Sequence, residues 1–349
     1  MAPVVKALEQ EKNIQSVVAV TAQHRSQLDQ VLNAFDIKPL YDLNVMKAGQ
    51  TLEDINIAIL SGLTPILQQE APQMVLVHGD ASTSFVAALC AFYNKIPIGH
   101  VEAGLRSGDK YQPFPEEINR KLISQMADIH FAPTELARDN LLKENITKNI
   151  YVTGNTAIDA ISVTPDYTFQ DAALNQLDYT KRIITLTAHR RENIGENLHN
   201  ICNAVAKLAK ANADIRFVYP IHQNPKVREV VKGILSGNTS VTLTEPLSIT
   251  DMHNLVSKSY LVLTDSGGLQ EEAPHLNIPV IVLRNVTERP EGLKTNVLKL
   301  AGTQERDIFK TVQNLLDNPL EHKAMAQGKN PFGDGKASGR IVNAIKNYF

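Results

Sequence analysis

Three acidic clusters in the first half of the chain stand where apolar runs give out. His78-Gly79-Asp80 ends one run, His100-Val101-Glu102-Ala103-Gly104 ends the next, and Pro113-Phe114-Pro115-Glu116-Glu117 opens a helical pattern after a proline-punctuated loop. Carboxyls brought together on an uncharged sugar ring acquire separated pKa values, so that one can hold a proton while another takes one. The plainer alternative makes Asp80, Glu116 and Glu117 helix caps or first-turn acids that favour a helix N-terminus. Glu102, followed by Ala103-Gly104 at the end of an apolar run, is harder to explain that way.

The second half supplies groups suited to an anion. Thr264-Asp265-Ser266-Gly267-Gly268-Leu269-Gln270-Glu271-Glu272 follows an apolar run and leads into a helical pattern. Ser266, Gly267 and Gly268 would let the backbone approach a phosphate, with unpaired N–H groups at the helix start attracting it. Glu272, one turn further on, could accept both hydroxyls of a ribose. Thr187-Ala188-His189-Arg190-Arg191-Glu192-Asn193 places a proton-transfer group beside two cations, again after an apolar run. His222 and Arg289 lie at comparable ends and could meet a diphosphate. The competing readings are a tight turn for the glycine pair and surface ion pairs for the His-Arg-Arg cluster.

Such residues need strand ends to stand on. Short apolar, β-branched runs recur at Ser16–Val20, Met74–Val77, Ile98–Val101, Ile129–Ala132, Ile150–Thr153, Ile183–Thr187, Ile215–Tyr219, Val241–Leu243, Leu261–Thr264 and Val280–Leu283. With both faces apolar they read as buried parallel strands, and the stretches between them, such as Ala87–Asn94, Arg120–Ala127 and Glu196–Leu208, carry helical spacing. Strand then helix, repeated, predicts an α/β chain of two Rossmann-like doubly wound domains facing a cleft. The rhythm loosens around Thr164-Pro165-Asp166. The expected domains are residues 1–160, residues 161–330, and a helix within 331–349 that packs back on the first domain. One feature departs from the pattern: residues 1–12 read as a helix where a doubly wound domain opens with a strand.

Composition narrows the function further. The 349 residues carry 35 Lys and Arg against 37 Asp and Glu, a net charge of −2, so no basic surface for nucleic acid is expected. No apolar run approaches the roughly 18 residues that span a bilayer, and no secretory signal is visible, which places the protein in the cytoplasm. Cys90 and Cys202 sit in apolar helical contexts and read as buried, reduced thiols. Neither GxGxxG nor GxxxxGK[ST] occurs, and the ten histidines show no ligand spacing. A nucleoside diphosphate handled without a metal or cofactor fits better than NAD or ATP.

The ordered set of His78-Gly79-Asp80, His100-Val101-Glu102-Ala103-Gly104-Leu105-Arg106, Pro115-Glu116-Glu117, Val152-Thr153-Gly154-Asn155-Thr156, His189-Arg190-Arg191-Glu192, Thr264-Asp265-Ser266-Gly267-Gly268 through Glu272, and Glu288-Arg289-Pro290-Glu291 resembles the bacterial non-hydrolysing UDP-N-acetylglucosamine 2-epimerases over nearly the whole chain. That resemblance implies a GT-B-like fold, a homodimer, and interconversion of UDP-GlcNAc and UDP-ManNAc through elimination of UDP to 2-acetamidoglucal and re-addition, supplying ManNAc for cell-surface polysaccharide. By the same resemblance Asp80, Glu102, Glu116 and His189 match acid and base residues, and Ser266, Gly267, Glu272, Arg289 and His222 match uridine and diphosphate contacts. Gln23 and Arg190 match a regulatory UDP-GlcNAc pocket, whereas Ser26 and Gly49 stand where the family has glutamine and arginine. The family opens with a strand and a Gly-Thr-Arg-Pro-Glu loop, and Met1-Ala2-Pro3-Val4 looks like the segment that follows it, so a truncated frame and weakened activity are expected. A glycosyltransferase of the same fold, or an inactive nucleotide-sugar binder, are the alternative readings.

Overall fold

A computed structural model describes the chain apart from residues 24, 48, 112, 163–167 and 288, so Thr164-Pro165-Asp166 and Glu288 lie outside the described residues, as does the side chain of Ser26. The chain divides into two compact units, Met1–Ser162 with Phe332–Phe349, and Val163–Pro331.

In the first unit β1 (Ala19–Val20) pairs in parallel with β2 (Tyr41–Asp42), and the two form a ribbon of their own. A second parallel sheet runs in chain order through β3 (Val75–His78), β4 (Ile98–Val101), β5 (Ile129–Ala132) and β6 (Ile150–Val152). Every residue of β4 and β5 is buried, as strands covered on both faces must be. Tyr151 and Val152 of β6 are exposed, because β6 is an edge strand. The expectation that this run is buried on both faces is therefore corrected. A sequence run shows apolar character but not position in the sheet.

Helix packing in this unit follows the sequence period. Ile55, Ile59, Leu63 and Leu67 recur every fourth residue along the helix Leu52–Glu70 and are its buried face, packed with the helix Ser82–Tyr93. Thr51 and Asp54 close a capping box at its start. The helix Ala337–Tyr348 joins the same unit: Ile341, Val342 and Ile345 pack with Val4, Leu8, Val101 and Phe131. Asp159, buried, takes the N–H groups of Ala337 and Ser338 at 3.1 and 2.7 Å, which satisfies two donors at the start of that helix.

The second unit is a six-stranded parallel sheet of β7 (Arg182–Thr187), β8 (Ile215–Pro220), β9 (Val241–Thr244), β10 (Leu261–Thr264), β11 (Val280–Val282) and β12 (Leu298–Leu300), in the order β12-β11-β10-β7-β8-β9. The order reverses between β7 and β10, the arrangement of a doubly wound sheet. β10 and β11 are wholly buried, whereas the edge strand β9 is mostly half-buried, again short of the expected two-sided burial. Leu298 to Leu300 and Tyr41-Asp42 form strands that no apolar run had marked. Among the described residues no helix is long and apolar enough to cross a membrane.

Candidate functional site

The second unit gathers its polar residues where the strand order reverses. β7 and β10 are neighbours, in register from Leu261 opposite Ile184 to Thr264 opposite Thr187, so the residues after each strand emerge side by side. In open α/β sheets this is the position at which ligands bind. His189 follows β7, Asp265 and Ser266 follow β10, and His222 follows the next strand, β8. The imidazoles of His189 and His222 stack, with centroids 5.3 Å apart and planes 11° from parallel.

Ser266 is the N-cap of the helix Gly267–His275. Arg289 lies across its first turn, so close that a Cβ on Gly267 would come within 3.2 Å of the guanidinium carbon. A side chain there would displace the arginine, which gives the glycine a steric reason. Glu271, buried, accepts from Arg289 Nε at 2.7 Å and holds the guanidinium in place. Backbone N–H groups, the helix dipole and a fixed cation thus converge, the ingredients of a phosphate site.

Glu272 adds a hydrogen-bond acceptor beside that site. Its Oε1 would lie 3.2 Å from a Cβ on Gly268. Burial, helped by the charge of Glu271, raises its pKa to about 7. His253 stands 3.7 Å away but is held neutral, its pKa lowered to about 4 by burial, so it offers Glu272 no cation. Its carboxyl, one turn into the helix, can accept hydrogen bonds from a ligand beside the helix start.

The first unit places its acids on the ends of β3 and β4. Glu102 adopts a left-handed backbone, φ +67°, a conformation that costs a non-glycine residue about 1 kcal/mol or more and concentrates at functional sites. That turn brings its carboxylate against Gly79, where a Cβ would sit 2.9 Å from Oε2, and within 3.9 Å of His78 Nδ1. Burial holds the pKa of His78 well below its ordinary value, so the pair is not ionic. His100, buried and with its pKa lowered to about 3 chiefly by burial, donates from Nε2 to the carbonyl of Gly79 at 2.8 Å and fixes the turn from beneath.

Asp80 does not cap the helix Ser82–Tyr93, whose N-cap Ala81 has no side-chain bond. It pairs instead with Arg120, and Asn119 Nδ2 donates to its carbonyl at 2.8 Å. Both partners come from the helix Glu116–Met126, so this helix ties Asp80 to Glu116. Glu116 keeps its Oε2 buried and without a hydrogen-bond partner among the described residues. Glu117 behaves differently: fully buried, it accepts from the backbone N–H of Ser107 and Gly108 and from Arg120, a loop-holding role. Gln23 accepts from Thr83 at 3.1 Å, at the start of the helix after Asp80.

Asp265, His253, Glu271 and Arg120 escape a reading by residue type. Asp265 had a signal, its place inside the Thr264–Glu272 motif, but nothing marked it as buried.

Comparison with known proteins gives one consistent result. A family model described as UDP-N-acetylglucosamine 2-epimerase matches residues 6–346. The UDP-N-acetylglucosamine 2-epimerase of Bacillus subtilis (strain 168) is 51% identical over 346 residues, covering 99% of this chain and 91% of the relative. The S. aureus MnaA structure with UDP superposes with a TM-score of 0.92 at 51% identity, covering 100% of this chain and 92% of that one. The Neisseria meningitidis UDP-GlcNAc 2-epimerase bound to UDP-GlcNAc gives a TM-score of 0.91 at 44% identity, covering 99% and 96%. The α/β architecture with parallel sheets is shared with both solved structures.

Proposed function

Since the chain belongs to the UDP-N-acetylglucosamine 2-epimerase family, we propose that it interconverts UDP-GlcNAc and UDP-ManNAc by inverting C2 of the sugar. The start of the helix Gly267–His275, with Ser266, Gly267, Gly268, Arg289 and His222, would hold the diphosphate, and Glu272 the ribose. Asp80, Glu102, Glu116 and His189 would act on the sugar ring. The reading requires both sets to reach one substrate molecule.

The C2 hydrogen has no neighbouring carbonyl to acidify it. It becomes removable only as the C1–O bond breaks and positive charge grows on the ring. In the elimination the C1–O electron pair leaves on UDP, a base takes the C2 proton, and C1 and C2 become the double bond of 2-acetamidoglucal. In the return step a proton reaches C2 from the opposite face and UDP re-adds at C1. Carboxylates stabilise the ring cation, and the helix start with Arg289 stabilises the departing diphosphate. Two faces need two proton-transfer groups, which is why more than one acid is required.

The observation that carries this reading is the switch-point cluster, where Arg289, anchored by buried Glu271, crosses a glycine-lined helix start one turn from Glu272. Incubation with UDP-GlcNAc in heavy water tests it. UDP-ManNAc and deuterium at C2 are expected in both sugars. Hydrolysis or transfer with the C2 hydrogen retained would show a different reaction.

Further parts of the reading go beyond the reaction itself. The product would feed cell-envelope polysaccharide, and the enzyme would work in the cytoplasm. Gln23 and Arg190 would belong to a regulatory nucleotide-sugar site. A homodimer is supported by exposed apolar side chains on two adjoining helices of the first unit, Phe92 and Tyr93 on one, Ile118 and Leu122 on the other. Sedimentation at micromolar concentration reads that state directly.

A further inference from the structure

Asp265 is fully buried in the second unit's candidate site, and its two carboxylate oxygens are used unequally. Oδ2 accepts three hydrogen bonds of 2.9 Å, from the backbone N–H of His189, the backbone N–H of Arg190 and Nδ2 of Asn193. Oδ1 is buried without a hydrogen-bond partner among the described residues. A carboxylate oxygen left bare in the interior is costly and rarely persists without a purpose. The group it faces is the ring of His189, whose Nδ1 stands 3.7 Å away. A closing movement of about 0.8 Å would bring that pair to ordinary hydrogen-bond distance.

The surroundings hold the ring to this direction. The three bonds on Oδ2 fix the backbone of His189 relative to the carboxylate, so only side-chain rotation remains. The stacked ring of His222 restrains the plane. His222 is itself fixed, with Nδ1 accepting from the backbone N–H of Asn224 at 3.1 Å. Tyr219 donates its hydroxyl to the carbonyl of Ala188 at 2.7 Å and pins the preceding residue.

We propose that Asp265 is the positioning residue for His189: Oδ1 takes the Nδ1–H, which fixes the tautomer and leaves Nε2 as the nitrogen that exchanges a proton with the substrate. The inference rests on His189 acting in proton transfer, as proposed above. In the step concerned, a proton moves from the substrate to Nε2 and the imidazole becomes a cation. The buried carboxylate stabilises that cation without taking the proton, which returns from Nε2 later in the cycle. Three charged or titratable groups face the ring: Asp265 after β10, His222 after β8, and Arg190 in its own loop. Burial, His222 and Arg190 disfavour its charged form, and Asp265 alone favours it.

The test reads the tautomer first and the rate second. Long-range proton–nitrogen spectra of the full chain report which ring nitrogen carries hydrogen, with the His189 signals identified by their loss in His189→Gln. A neutral His189 with hydrogen on Nδ1 is expected, and hydrogen on Nε2 would overturn the proposal without any Asp265 variant having to fold. Asp265→Asn should switch the tautomer, lower the titration midpoint of His189, and reduce kcat by about 10²- to 10⁴-fold with KM within about threefold. An unchanged tautomer and midpoint in that variant, or a switched tautomer with unchanged kcat, would reduce Asp265 to a loop anchor. Full activity in His189→Gln would instead sink the catalytic reading of His189, while the spectra would still decide whether the contact exists.

Discussion

The two units meet the same architectural problem, polar residues at the ends of parallel strands, by different means. In the second unit the polar groups are fixed largely by main chain. Gly267 and Gly268 bring a helix start to the surface, Asp265 binds two backbone N–H groups, and Glu271 locks Arg289. In the first unit the acids are fixed by side chains and by one unusual backbone angle, with Asp80 on Arg120 and Glu102 turned into the left-handed region. A grip built from main chain and buried ion pairs suits a constant part of a substrate, such as a nucleoside diphosphate. Acids held by side chains suit a part whose charge changes during reaction. The contrast therefore predicts a split, with nucleotide-binding energy concentrated in the second unit and the carboxylate chemistry in the first, His189 aside.

The largest effect in the first unit should come from Glu102. Glu102→Gln keeps the shape and removes the charge that would stabilise the ring cation or take the proton. A fall in kcat of about 10³-fold is expected, with UDP affinity changed by less than about twofold. Steady-state kinetics together with calorimetry of UDP binding separate the two quantities. A comparable loss of UDP affinity would break the division of labour.

Arg289 should give the opposite pattern. Arg289→Ala removes the cation from the helix start and the contact that Glu271 makes with it. UDP affinity should fall by about 10- to 100-fold, close to 1.4–2.8 kcal/mol. Glu271→Gln, which retains an oxygen for Arg289 Nε, should lose less than about tenfold. Equal losses in the two variants would mean that the arginine's position, rather than its charge, sets the affinity.

What was legible beforehand follows the same contrast. The strand ends, the glycine pair and the acids were visible because each depends on local pattern: an apolar run, then a residue with a distinct backbone or charge property. Position within a sheet was not visible, so β6 and β9 looked like interior strands although each is an edge. β2 and β12 escaped because two or three residues paired in register with an equally short neighbour need no apolar run of their own. Glu116 and Glu117 are adjacent and of one type, yet Glu117 is sealed beneath the loop at Ser107-Gly108 while Glu116 keeps a buried oxygen without a partner. That distinction depends on which face of the helix is covered. Asp265 was hidden for the same reason: a motif rich in glycine advertises a phosphate and says nothing about a carboxylate beneath it.

A smaller effect than the loss at Glu102 concerns Glu272, and it sharpens the contrast because binding and stability should respond to pH with opposite sign. Its pKa stands at about 7 in the folded chain against an ordinary 4.5, because burial penalises the charged form. Between those values the folded state keeps a proton that the unfolded chain has released. The folded state is therefore favoured at low pH, and that contribution is lost as pH rises through about 7. For a fully enclosed group the rise would be worth about 3 kcal/mol. With 20% of the side chain open to solvent, about 2 kcal/mol is the expected size. Urea midpoints at about pH 5.5 and about pH 8, compared between wild type and Glu272→Gln, should show wild type losing stability relative to the variant as pH rises. UDP affinity should move the other way, strengthening through the same interval, because the ionised carboxylate is the better acceptor for the ribose hydroxyls. If the two curves ran in parallel, Glu272 would not be the ribose acceptor, and the main-chain grip on the diphosphate would have to supply the nucleotide affinity alone.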